Sequence, residues 1–161
     1  MKEAGKIMTL NANILIEQPA DVVYTFISDY KNDWKWRSLH MEVPNYDNNT
    51  KVRVNRSIKN FHLLGLMKNG SYRIIDDQPY EQISSRINFG KLTITDTRKI
   101  KCIQMGQTEL EYNLKFTLHG IFKLFSPILM PDLKKDIIRD LKWLKEILEI
   151  FPSPHTSPVE L

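Results

Sequence analysis

Cysteine is almost absent from this 161-residue chain. Cys102 stands alone, so no disulfide can form within the chain, and stability has to come from packing. Histidine is scarce as well. The four histidines, at positions 40, 62, 119 and 155, stand at no ligand spacing from each other, from Cys102 or from an acid, so no metal and no cofactor is expected. Only six glycines occur, none in a phosphate-cradling loop. No Ser/His/Asp arrangement can be assembled from the spacing. No run approaches the eighteen or so apolar residues of a membrane-spanning helix. The opening "MKEAGKIMTLNANI" lacks the apolar stretch of a secretory leader, so a cytoplasmic location is expected. Excess charge is small: 23 basic residues against 19 acidic ones give +4. The densest basic stretches, "KLTITDTRKIK" and "DLKKDIIRDLKWLKE", are diluted by threonine or balanced by acids. A nucleic-acid partner is therefore not expected.

What remains is the ordinary composition of a globular protein, 42% hydrophobic and 26% charged. This length fits one domain able to bury roughly 70% of the surface of its unfolded chain. The domain is expected over 1–151. The segment "PSPHTSPVEL", residues 152–161, has three prolines and no periodicity and reads as a disordered tail.

Alternation begins at Met8, where Leu10, Ala12, Ile14 and Ile16 share one side, the pattern of a half-buried strand. Pro19 and Asp21 suit the start of a helix, and Val22, Val23, Phe26 and Ile27 recur at helical spacing. "YKNDWKW" reads as a turn or a second helical stub. From Arg37 to Gln104 the period is mostly two. "NYDNNTK" reads as a hairpin loop, Asn69-Gly70 as a tight turn, and Gly90-Lys91 and "GQT" as further turns. Leu110, Tyr112, Leu114, Phe116 and Leu118 give the clearest alternation. A long helix is expected from about Pro131 to Phe151, with Met130, Leu133, Ile137, Leu141, Leu144, Leu148 and Phe151 as its apolar stripe. Cys102, within "IKCIQM", reads as a small buried hydrophobe.

These elements predict an α+β protein: an antiparallel meander of six to seven strands curled around one long C-terminal helix, with two short helices after the first strand closing one end. A single helix is narrower than the concave face of such a sheet, which leaves space for a cavity beside it.

The stretch "ILIEQPADVVYTFISDYKNDWKW" resembles the opening of the START-like, or SRPBCC, superfamily, the Bet v 1-like helix-grip proteins. The features that carry the resemblance are an alternating strand, Pro19, an amphipathic helix ending in Ser28 and Asp29, and then Trp34 or Trp36. "GSYRIIDDQPYEQISSRI" is similar to that superfamily's central strand pair. "ELEYNLKFTLHGIFKLFSPILMPDLKKDIIRDLKWLKEILE" is similar to its last strand, linker and closing helix. Coverage runs from residue 8 to 151, and the polyketide cyclase/dehydrase-like branch is the nearest in pattern. The resemblance implies a helix-grip fold and a cavity for a hydrophobic or amphipathic small molecule of lipid, polyketide or aromatic type. No acid–base pair in "VRVNRSIKNFHLLGLMKNG" matches a catalytic member.

Candidate cavity-lining residues follow from strand parity and helix stripe. Val54, Arg56, Tyr72, Ile74 and Asp76 come from the early strands, Tyr112 and Phe116 from the last one, and Ile137 and Leu141 from the helix. Trp36 would cap the core while Trp34 faces solvent. Phe125 and Met130, in the apolar linker, would stand at the cavity mouth, and the segment from Phe122 to Met130 could touch a membrane transiently. Arg56 shares parity with Val52, Val54 and Ile58, so it needs a partner, either Asp76 or an anionic ligand group. Two other functions fit the same pattern. One is a cyclase or dehydratase acting on a polyketide-like substrate, with Tyr72, Tyr112, Arg56 or Asp76 handling protons. The other is an interaction module whose cavity is filled by side chains.

Overall fold

The alternation at the start of the chain becomes strand β1, Lys6–Ile16, with Met8, Leu10 and Ile16 buried and Thr9, Asn11 and Asn13 exposed or nearly so. The computed structural model describes residues 5–38, 56–63, 66–124 and 126–150. After β1, Pro19 holds an extended backbone, φ −60° and ψ 152°, at the N-cap of helix α1, Ala20–Ser28. Val23 and Ile27 of α1, one turn apart, are fully buried. A single 3₁₀ turn, Tyr30–Asn32, leads into the short helix α2, Asp33–Trp36. Strands β2 (Arg56–Leu63), β3 (Leu66–Gln78), β4 (Gln82–Asn88), β5 (Leu92–Gln104) and β6 (Gln107–Leu118) follow. A 3₁₀ turn at Gly120–Lys123 then precedes helix α3, Ser126–Ile150.

All pairings are antiparallel, and the sheet order is β1-β6-β5-β4-β3-β2. Consecutive strands are neighbours except β1, which returns to pair with β6 along its whole length. Among the described residues the sheet has six strands, within the expected six to seven. Of the expected α3 stripe, Leu133, Ile137, Leu141, Leu144 and Leu148 are buried and Met130 is half-buried, while Phe151 lies outside the described residues. Each fully buried side chain of this kind contributes about 1.5–3 kcal/mol.

Several expectations need correction. Asn69-Gly70 is no turn, since both residues lie inside β3, where Gly70 stands opposite Ile58. The glycine serves close packing: a Cβ there would lie 2.5 Å from Phe89 Cδ1, so the ring occupies the space a side chain would need. The turn at Gly90 does form, with φ at +76°. Helix α3 starts five residues earlier than expected and contains Pro131 in its second turn, at the cost of the hydrogen bond an N–H there would make to the carbonyl of residue 127. Cys102 is exposed, because β5 runs past the end of the core after Ile100. The "NYDNNTK" loop and the tail 152–161 lie outside the described residues.

Candidate functional site

The ladders arrange the inner face of the sheet in cross-strand rows. One row runs Tyr72, Ile87, Ile94, Phe116, Met8. The next runs Ile74, Ser85, Asp96, Leu114, Leu10, and a third Ile83, Arg98, Tyr112, Ala12. An apolar wall thus carries one polar block, formed by Ser85, Asp96, Arg98 and Tyr112, all at most 2% exposed.

Helix α2 completes that block. Within "DWKWR", positions 33, 36 and 37 share one side of a helical turn. Asp33, Trp36 and Arg37 are accordingly buried, whereas Trp34 is 67% exposed. Arg37 Nη1 donates to Asp33 Oδ2 at 2.6 Å, and its Nη2 lies 2.7 Å from Asp96 Oδ2 and donates to the Tyr112 hydroxyl at 2.6 Å. Arg98 donates to both carboxylates: Nη1 and Nη2 to Asp33 at 3.1 and 3.0 Å, Nε and Nη2 to Asp96 at 3.4 and 3.1 Å. Its Nη1 also donates to the carbonyl of Ile27, the end of α1, at 2.5 Å. Two guanidiniums and two carboxylates therefore cancel in charge while bolting α1 and α2 to β5. Burial opposes every one of these charges, and only the complete set offsets the cost.

The electrostatics follow from that closure. Burial alone would raise the Asp96 carboxyl, but the Arg37 and Arg98 guanidiniums outweigh it and hold it below the usual carboxylate range. Burial likewise disfavours the Arg37 cation, yet Asp96, Tyr112 and Asp33 keep it firmly protonated. The Tyr112 hydroxyl is pushed well above its ordinary value, chiefly by burial. The indole of Trp36 lies against the cluster, its ring centroid 5.4 Å from Arg98 Cζ, 5.6 Å from Arg37 Cζ and 5.9 Å from the Tyr112 ring. Among the described residues, Trp36 Nε1 and Ser85 Oγ beside this cluster are buried without a hydrogen-bond partner. Each such group costs about 1–3 kcal/mol.

Helix α3 packs closely along β1 and against α2. Its Asp140 carboxylate accepts from the Ser38 amide at 2.8 Å and the Ser38 hydroxyl at 2.5 Å, tying the exit of α2 to the middle of α3. Burial raises the Asp140 carboxyl against the lowering effect of those bonds.

Of the expected lining residues, Trp36, Tyr72, Tyr112, Phe116, Ile137 and Leu141 are buried in the core, and Ile74 and Met130 are half-buried against it. Asp76 is not on this face. A bulge at Ile75 shifts the β3 register, so Asp76 pairs with Ser84 and accepts from Gln78 and Gln82 on the outer side. The side chain of Arg56 lies outside the described residues, and with it the expected bridge to Asp76; in the ladder Arg56 stands opposite Tyr72. Val54 and Phe125 lie outside the described residues. In the linker, Ile121 and Leu124 are exposed and Phe122 is half-buried. The sequence reading missed Asp33, Arg37, Ser85, Asp96 and Arg98. Strand parity carried the signal for the last two, which alternate with Leu92, Ile94 and Ile100.

A curved antiparallel sheet gripping one long helix defines an α+β helix-grip protein. No family model matches the chain, and no curated protein matches its sequence. Solved structures do match in shape. A START superfamily protein from Mycobacterium smegmatis is 13% identical with a TM-score of 0.64, over 88% of this chain and 97% of that one. The ZhuI aromatase/cyclase from Streptomyces sp. R1128 is 13% identical with a TM-score of 0.65, over 89% of this chain and 94% of that one. A Thalictrum norcoclaurine synthase, in complex with a transition-state analogue, is 10% identical with a TM-score of 0.63, over 92% of this chain and 98% of that one. The chain has the START-like, Bet v 1-like helix-grip fold. No helix among the described residues is long and apolar enough to cross a membrane.

Proposed function

We propose that this protein binds a hydrophobic or amphipathic small molecule between the inner face of the sheet and α3. The observation that carries the reading is the architecture itself, in which the inner residues of β3 and β4 face the core from a sheet that grips a single long helix. The inner residues of those two strands, Tyr72, Ile74, Ile83 and Ile87, form an apolar wall suited to oily cargo. Binding would draw on apolar burial, about 25 cal/mol per Å² before ordering costs. Fold neighbours named as a START superfamily protein, an aromatase/cyclase and a norcoclaurine synthase support it at the level of architecture.

A catalytic role is less well supported. The Asp96 carboxyl is held ionised and the Tyr112 hydroxyl protonated, each away from the neutral range in which a general acid or base works best. The test is a titration with diphenylhexatriene, a pure hydrocarbon probe, in the native chain and in Ile74→Trp. The native chain should take up one probe per molecule, and the bulky variant should bind it about tenfold more weakly. Failure of the native chain to take up the probe overturns the reading.

A further inference from the structure

The polar block on the inner wall combines a saturated part with an unsatisfied one, and the contrast specifies the chemistry of the ligand. The saturated part is the charge cluster. All five N–H groups of Arg98 are engaged, one by the Ile27 carbonyl, two by Asp33 and two by Asp96. Arg37 is bound to Asp33, Asp96 and Tyr112. Two carboxylates already balance the two guanidiniums, so an anionic ligand would bring an unmatched charge into a buried site.

The unsatisfied part is the indole N–H of Trp36 and the hydroxyl of Ser85, each in a residue only 1% exposed. Both border the same cluster. Ser85 stands directly opposite Asp96 in the β4–β5 ladder, and the Trp36 ring lies against both guanidiniums and Tyr112. An indole N–H can only donate, and a hydroxyl can donate or accept.

We propose that the pocket takes an uncharged ligand that presents a carbonyl oxygen to Trp36 Nε1–H, with the Ser85 hydroxyl as a second donor. This deepens the pocket reading above and rests on it. Both atoms are closed off from solvent, so the ligand reaches them by displacing side chains now packed against them. Entry is thus an induced fit, and the hydrogen bonds gained offset part of its cost.

The experiment uses the full chain labelled with ¹⁵N, whose three indole N–H signals belong to Trp34, Trp36 and Trp143. Trp34 and Trp143 are 67% and 53% exposed and serve as internal controls. Three probes are compared: diphenylhexatriene, the neutral ketone 6-propionyl-2-(dimethylamino)naphthalene, and 6-(dimethylamino)-2-naphthoate, which carries a carboxylate where the second has its ketone. The ketone should bind and move the Trp36 signal downfield while the two control signals stay in place. The carboxylate should bind at least about tenfold more weakly. Trp36→Phe and Ser85→Ala should each weaken the ketone about five- to tenfold more than they weaken the hydrocarbon. Binding of the carboxylate as tight as that of the ketone, or ketone binding with a stationary Trp36 signal, overturns the proposal. Uptake of the hydrocarbon without the ketone overturns this proposal alone. Exclusion of all three probes overturns the pocket reading and this one with it.

Discussion

Replacing Arg98 by Met tests whether the four-charge cluster is the bolt between the short helices and the sheet. Methionine keeps the length and apolar character of the stem but deletes every N–H that reaches Ile27, Asp33 and Asp96. Asp33 and Asp96 are then left with a single guanidinium, Arg37, between them. Breaking a buried ion pair from one side costs about 3–5 kcal/mol, because a charge stays buried without its counterpart. Urea titration followed by circular dichroism reads this directly. With a slope of about 2 kcal/mol per molar urea, the midpoint should fall by about 1.5–2.5 M. The decisive comparison is the double variant Arg98→Met/Asp96→Asn, which removes one charge of each sign and leaves the Asp33–Arg37 pair intact. It should recover about 1–3 kcal/mol relative to the sum of the two single variants. A loss below about 1 kcal/mol in Arg98→Met, or strict additivity in the double variant, would refute the reasoning that charge balance holds this cluster together.

Acid should loosen the fold through Asp96. Its folded value lies below the ordinary 3.8, so the stability it contributes is complete above that value and is lost as pH falls through the depressed one. Thermal melts across pH 2–6 should show a shallower acid slope in Asp96→Asn than in the native chain, and equal slopes would contradict the assignment. Gly70→Ala should destabilise by about 1–3 kcal/mol, since its Cβ would meet the Phe89 ring at 2.5 Å and the Asn88 carbonyl oxygen at 2.6 Å. An unchanged melting temperature in Gly70→Ala would exclude that packing. Asp140→Ala removes both bonds to Ser38 and should cost about 1–3 kcal/mol, with faster amide exchange at Ser38 as the local readout. Cys102 should react with a thiol reagent in the native state without denaturant, and protection would place it in the core instead.

Much of the architecture was legible because one face of each long element meets solvent and the other meets the core. In β1, β6 and α3 the period in the sequence is the period in the burial pattern. The readings failed where local chemistry yields to packing. Asn69-Gly70 has the composition of a turn, but the glycine is there to admit the Phe89 ring. Asp76 follows Tyr72 and Ile74 by parity, yet one extra residue, Ile75, turns it to the opposite face. The charge cluster was hidden for another reason. "TDTRK" has the composition of a solvated strand, and nothing local reveals that Asp33 and Arg37, some sixty residues away, supply the missing counter-charges. Parity alone flagged Arg56 as an inward arginine, and the same rule applied to Asp96 and Arg98 points to the cluster.

Cargo lodged between the inner wall and α3 is the central feature of the proposed function. Native mass spectrometry of the protein purified from its own host tests it most directly. The prediction is a population carrying one small neutral organic molecule, which dissociates on collisional activation and is reduced in Ile74→Trp. Protein that arrives bare, and stays bare after incubation with the hydrocarbon and ketone probes, would contradict it.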